Sequence, residues 1–185
     1  NSGASGDSFE QLAEQLGLSN IVATKVRNSE KIQIQEPPKS ELQAVIQLYK
    51  TGQHADALIR AKKLLSKFGQ SKTILNLIGA ASQSLGNLNE AISAYKTAIS
   101  IDPDYAVAYN NMGVTFKKLG KLDEALLAYN KAISIKPGYA EAYNNMGIVL
   151  KEQGKLEQAI QAYNNALSIK PDHAEVFNNM GIALQ

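Results

Sequence analysis

Apolar residues return along this chain at intervals of three and four. Tyr109, Met112, Gly113 and Phe116 fall at i, i+3, i+4 and i+7, the spacing that lines up one face of a helix. A second face of the same kind carries Ala125, Tyr129 and Ala132. The pattern predicts one helix over 106–119 and another over about 122–135. Gly120 ends the first, because glycine tolerates the left-handed backbone that follows a helix terminus. Lys136-Pro137 ends the second, because the residue before proline is pushed out of the α region and proline cannot continue the helix. Two such helices joined by a short turn predict an antiparallel hairpin.

The hairpin recurs. Met112, Met146 and Met180 are 34 residues apart, and Pro103, Pro137 and Pro171 keep the same interval. So do Ala57, Ala91, Ala125 and Ala159, and Tyr95, Tyr129 and Tyr163. Residues 106–139 and 140–173 are identical at 20 of 34 positions. Eight of the 13 glycines lie on two repeat columns, Gly79, Gly113, Gly147, Gly181 and Gly52, Gly86, Gly120, Gly154. A fixed period of this length signals a repeat architecture. Gly inside a helix costs about 1 kcal/mol against Ala, so the first of those columns needs a packing reason. Gly113 and Ala125 lack bulk, which predicts a close approach of the two helices there. Tyr129 and Ala132 are then predicted to face the next hairpin. One hairpin cannot bury that face; stacked hairpins can.

Taken together, Tyr109-x2-Met112-Gly113-x2-Phe116 followed by Gly120, Ala125, Tyr129, Ala132 and Pro137 resembles the tetratricopeptide repeat. Met stands for the usual Leu and Tyr for the usual Trp. The resemblance implies an all-α fold, a right-handed α-solenoid of stacked antiparallel helix hairpins. It places units at 38–71, 72–105, 106–139 and 140–173, with a fifth unit begun at 174–185. Unit two has Leu75 at the aromatic position and Ser82 at the large one. Unit one is degenerate, with Val45 for the first Gly, Ala61 for the aromatic and Gly69 for the Pro. An atypical terminal unit is expected of a cap.

Residues 1–37 lie outside the array as a leader. Phe9, Leu12, Ala13 and Leu16 suggest a short amphipathic helix closed by Gly17, and Ser19 or Asn20 is placed to cap a second through Arg27. Residues 28–38 read as an extended connector. Asn1 to Gly6 looks like a linker and lacks the basic and apolar regions of a secretory signal. At the other end Phe177, Met180, Gly181 and Leu184 prepare a face for a second helix, which suggests a fragment of a longer array or a larger protein.

The resemblance also implies that the first helices line a concave side. One concave column is Gln43, Leu77, Asn111, Asn145, Asn179; the column before it holds Asn76, Asn110, Asn144, Asn178. Asn is a mediocre helix former, so asparagines in register ask for a reason. Each amide offers a donor and an acceptor, which suits binding a peptide backbone without reading its side chains. With units about 10 Å apart and an extended ligand rising about 3.3 Å per residue, successive Asn would meet about every third peptide residue. The column resembles the asparagine ladder in the tetratricopeptide superhelix of O-linked N-acetylglucosamine transferase, which grips extended peptides. A structural reading stands beside it: the amides bond neighbouring turns, or are inherited by repeat duplication. Val114, Ile148 and Ile182 form an apolar column beside the ladder, and Lys117 and Lys151 lie a turn further on. Family members that bind an acidic C-terminus use a clamp of Lys and Asn. Leu42/Ile46, Asn76/Ala80 and Asn110/Val114 occupy the clamp's flanking places, which argues against that mode.

Composition narrows the rest. No Cys excludes a disulfide framework, a Cys-ligated metal and thiol catalysis. No run of apolar residues is long enough to span a membrane. The net charge of +2 points to no class of partner, although it alternates from +4 in residues 38–71 to −1, +3 and −1 in the units that follow. Lys117, Lys118, Lys121, Lys151 and Lys155 suggest a basic strip, but Glu141, Glu152 and Glu175 interleave with it. Nucleic acid would want a stronger stripe with aromatics to stack on. His54 and His173 sit in different units without a nucleophile or ligand partner at helical spacing. No phosphate loop occurs. The expected function is therefore non-catalytic, without cofactor or metal: a scaffold that holds an extended protein or peptide segment in the concave groove. Two alternatives stay open. One is the substrate-recruiting region of a larger glycosyl-, methyl- or sulfotransferase. The other is an array that assembles with itself, through its C-terminal face or residues 1–37.

Overall fold

The computed structural model describes residues 37–183. The expected leader helices and most of the connector, and Leu184, lie outside them. Among the described residues nine helices follow in order: α1 Lys39–Lys50, α2 His54–Phe68, α3 Lys72–Ser84, α4 Leu88–Ile101, α5 Ala106–Lys118, α6 Leu122–Ile135, α7 Ala140–Glu152, α8 Leu156–Ile169 and α9 Ala174–Ala183. The same residues contain no strand, and the chain folds as an all-α solenoid.

The helix ends follow the residues that marked them. Leu119 caps α5, and Gly120 follows at φ 72. That left-handed residue lets Lys121 N–H reach back to the Phe116 carbonyl at 2.9 Å, so the last carbonyls of α5 are bonded rather than orphaned. Lys136, ahead of Pro137, is extended at φ −129 and ends α6. The first hairpin has no proline there. Its α2 stops at Gly69 (φ 69), and Ser71 starts α3 by accepting the Ile74 N–H on its hydroxyl.

Each of α3, α5 and α7 packs on its own second helix and on the second helix of the hairpin before it, as α5 does on α6 and α4. First helices also touch one another, α1 on α3, α3 on α5, α5 on α7 and α7 on α9. Among the described residues no second helix touches another second helix. The first helices are therefore the crowded inner row and the second helices the splayed outer row. The stack curves, and α1, α3, α5, α7 and α9 line its inner side.

The glycine column has its packing reason, but not the one expected. A Cβ on Gly79, Gly113 or Gly147 would lie 2.5, 2.6 and 2.5 Å from the ring of Tyr95, Tyr129 and Tyr163 respectively. The close approach at Gly113 is thus filled by Tyr129 of the same hairpin, rather than made by Ala125. The Tyr129 ring also belongs to a cluster with Val149 of the next hairpin, so it faces inward and onward at once. All three tyrosines are 0% exposed. The reason is size: a phenol ring between two helices needs one neighbour without a side chain.

Candidate functional site

The inner row brings the asparagines together in a specific way. The Asn111 amide Nδ2 donates to Asn76 Oδ1, Asn145 Nδ2 to Asn110 Oδ1 and Asn179 Nδ2 to Asn144 Oδ1, each at 3.0 Å. Every bond joins neighbouring hairpins. The two columns are therefore not two independent ladders but one row of inter-unit clasps. The acceptor column is the deeper one: Asn110 is 6% exposed and Asn144 3%. Asn111, Asn145 and Asn179 are half-buried and keep part of their amides on the inner surface. Asn178, with no described hairpin beyond it, is exposed.

The remaining amide capacity is unevenly used. Asn110 Nδ2 donates to Asn111 Oδ1 at 3.4 Å, and Asn144 Nδ2 to Glu175 Oε1 at 3.3 Å. Each Asn carries two N–H groups and two acceptor sites. The clasp consumes one N–H of each outer amide and fixes its orientation. Among the described residues, the Oδ1 atoms of Asn145 and Asn179 make no further hydrogen bond. The sequence places Asn76 in the second column and Glu175 among the interleaved acids, but pairs neither with another asparagine. The three clasps share an offset of 35 residues, one more than the repeat period.

The other expected residues flank this row. Val114 and Ile148 are half-buried and lean on the clusters beneath them. Lys117 Nζ pairs with Glu152 across the hairpins at 3.0 Å, so half of that basic pair is neutralised. Lys151 makes no ion pair among the described residues. Glu141, at the start of α7, is exposed. The groove carries both signs of charge around a polar and aliphatic floor.

Beneath it lie three phenols with different fates. Tyr95 Oη donates to Gln83 Oε1 at 3.3 Å, while the Tyr129 and Tyr163 hydroxyls are buried without a partner among the described residues. The columns explain this. Gln83 is replaced by Lys117 and Lys151 in the next two hairpins, and a lysine ammonium has no acceptor to offer. Burial, with the Glu152 charge second, pushes the Tyr163 phenol up to about 12 and raises Tyr129 as well. Burial likewise raises Tyr95. On α4, the Glu90 carboxyl is held below its ordinary value by Lys62 and by the Ser82 hydroxyl, which donates to it at 2.8 Å.

Among the described residues no cluster of His, Cys, Asp or Glu is arranged to hold a metal ion. His54 packs its ring against Tyr49 at 5.0 Å, on a different hairpin from the loop that carries His173. No helix of the described residues is long and apolar enough to cross a membrane.

The sequence profile described as TPR repeat matches residues 79–120, 115–154 and 149–185. No curated protein matches the chain significantly. Among solved structures, a thermophilic TPR protein of Thermus thermophilus is similar with a TM-score of 0.74 at 21% identity, covering 96% of each chain. MamA is similar with a TM-score of 0.65 at 24% identity, covering 95% of this chain and 99% of that one. The first TPR of Spaghetti (RPAP3), solved bound to HSP90 peptide SRMEEVD, has a TM-score of 0.61 at 27% identity, covering 63% of this chain and 92% of that one.

Proposed function

Since the chain belongs to the tetratricopeptide-repeat family, we propose that it is a non-catalytic protein-binding scaffold whose inner groove holds an extended partner segment. The single observation that carries the reading is the row of clasped asparagines. Asn111, Asn145 and Asn179 each donate one hydrogen bond to the hairpin before, and all three are half-exposed on neighbouring first helices. Fixed amides at the interval of the hairpins are preorganised partners for a peptide backbone, and preorganisation lowers the entropic cost of binding. Val114 and Ile148 supply apolar contact between them.

The RPAP3 domain that this chain resembles holds an acidic peptide. Here Lys117 is already paired with Glu152, and Glu141 and Glu175 lie on the inner row. That balance favours a segment of mixed or low charge over a strongly acidic one. The test is an array of extended peptides probed with the full chain, followed by titration of the best binders against Asn145→Ala and Ile148→Glu. Groove binding predicts a loss of about tenfold for Asn145→Ala, the equivalent of one hydrogen bond, and a larger loss for Ile148→Glu. Peptides that bind both variants as well as the parent chain would sink the groove reading.

A further inference from the structure

The outer row holds clefts of its own, and they differ from hairpin to hairpin. Because α2, α4, α6 and α8 do not touch one another, a cleft runs between each neighbouring pair, floored by the first helix that packs on both. Between α2 and α4 it is crossed. Lys62 Nζ reaches Glu90 at 2.6 Å, and the Ser82 hydroxyl on α3 donates to that carboxylate at 2.8 Å. Between α4 and α6 the same two places carry Lys96 and Glu124, again opposite charges. Between α6 and α8 they carry Asn130 and Gln158. There a cavity of about 390 Å³ opens, within the range of small ligand-binding clefts, about 300–1,000 Å³. Leu126, Met146 and Leu150 line it at depth, half-buried or buried, and Asn130, Gln158 and Gln161 stand exposed along its rim.

We infer that this cleft binds an extended, uncharged peptide segment of another protein, with a large apolar side chain set against Leu126, Met146 and Leu150. The chemistry of the occupant is read from the rim. Among the described residues the side chains of Asn130, Gln158 and Gln161 form no hydrogen bond, so each offers both a donor and an acceptor. An extended chain presents free backbone N–H and C=O groups to such partners, whereas a helix has bonded its own internally. The rim also favours a neutral segment. The ion pair of the first cleft is replaced here by amides, and Lys155, the one charged residue lining the cavity, already donates to Gln153 at 2.8 Å. A charged side chain lowered onto the apolar floor would stay unpaired, which is costly.

The described part of this chain is helical with short loops, so it holds no extended segment that could serve as the occupant. Both hairpins that form the cleft are complete within the described residues. The cleft lies on the outer row, away from the asparagines, so this inference does not depend on the inner groove.

The probe is a displayed library of random dodecapeptides, selected on the full chain and then depleted on the double variant Asn130→Lys with Gln158→Glu. That variant copies the Lys62–Glu90 pair across the third cleft. Both positions are exposed, so its thermal melt should match the parent's. Peptides that survive depletion should be uncharged around a large apolar residue. They should bind the parent saturably by fluorescence anisotropy, at least about tenfold more tightly than the double variant. Gln161→Ala should weaken them about three- to tenfold, the equivalent of one hydrogen bond, and it replaces the double variant in the depletion if that protein melts early. A pool emptied by the depletion overturns the inference, as do survivors indifferent to Gln161→Ala. Survivors that are mainly charged, or that gain helical circular dichroism on binding, overturn the assigned occupant. Sedimentation in which the parent forms a dimer and the double variant a monomer overturns it too, by placing a second copy in the cleft.

Discussion

The first hairpin and the third solve one packing problem with opposite volumes. In the third, a helix without a side chain at Gly113 receives the full ring of Tyr129. In the first, Val45 stands at the glycine position and Ala61 at the tyrosine position, 1% and 0% exposed within one cluster. Bulk has moved from the second helix to the first while the space between them stays filled. Cores tolerate such exchange when total volume is kept. Either residue alone would misread the site: Val45 looks like a broken repeat, and it is a repeat with the knob on the other side.

This pairing can be broken deliberately. Tyr129→Ala should cost about 3–5 kcal/mol, the range for emptying a buried aromatic site. Gly113→Val alone should cost about 1–3 kcal/mol or more, since its first carbon would start 2.6 Å from the ring. The double variant Gly113→Val with Tyr129→Ala recreates the first hairpin's solution inside the third. It should be more stable than the sum of the two single changes predicts, by at least about 1 kcal/mol. Urea unfolding of the four proteins decides it. Simple additivity would show that Val45 and Ala61 are not a compensated pair.

The clasp sharpens the comparison at the next size of effect. Asn144 is 3% exposed and bonded on both amide atoms, to Asn179 and Glu175. Asn178, at the same repeat position, is exposed. Asn144→Ala should cost about 1–3 kcal/mol, because it also strands the Asn179 donor. Asn178→Ala should stay within about 0.5 kcal/mol of the parent, as surface changes do. Equal costs at the two positions would mean that the amide pairing contributes nothing to stacking.

The contrast also marks what could be read from the sequence. Gly120 and Pro137 announce the helix ends, because each disallows the backbone that would continue the helix. The Gly113 column announces a close approach, because nothing else justifies glycine inside a helix. The partner in that approach was not legible. Ala125 and Tyr129 lie four residues apart on one face, and small-on-small is as natural a guess as ring-on-glycine. The asparagines were legible as a column but not as clasps. A residue reaches its partner at the adjacent position of the preceding hairpin, so aligning repeats column by column hides the bond. Lys117 read as one of a basic strip, and Glu152 was visible beside it. That the two join depends on which way each helix is rotated, and periodicity alone does not fix it.

The smallest effect appears only at alkaline pH. The third and fourth hairpins bury phenols that the first lacks, since Ala61 stands at the tyrosine position. Tyr163 is raised to about 12 by burial, then by the Glu152 charge. An unfolded chain ionises its tyrosines near pH 10. The folded state therefore holds the proton more tightly, and the contribution to stability is complete below about pH 10 and lost as pH rises through about 12. The midpoint of urea unfolding should fall steadily across that window. Tyr163→Phe removes the ionisation together with a hydroxyl that has no partner among the described residues. Its stability at neutral pH should be close to the parent's or higher, and its decline from pH 10 to 12 should be shallower by one proton's worth of slope. Parallel declines in the two proteins would show that Tyr163 is no harder to ionise folded than unfolded, and that the ring between α7 and α8 is reached by water.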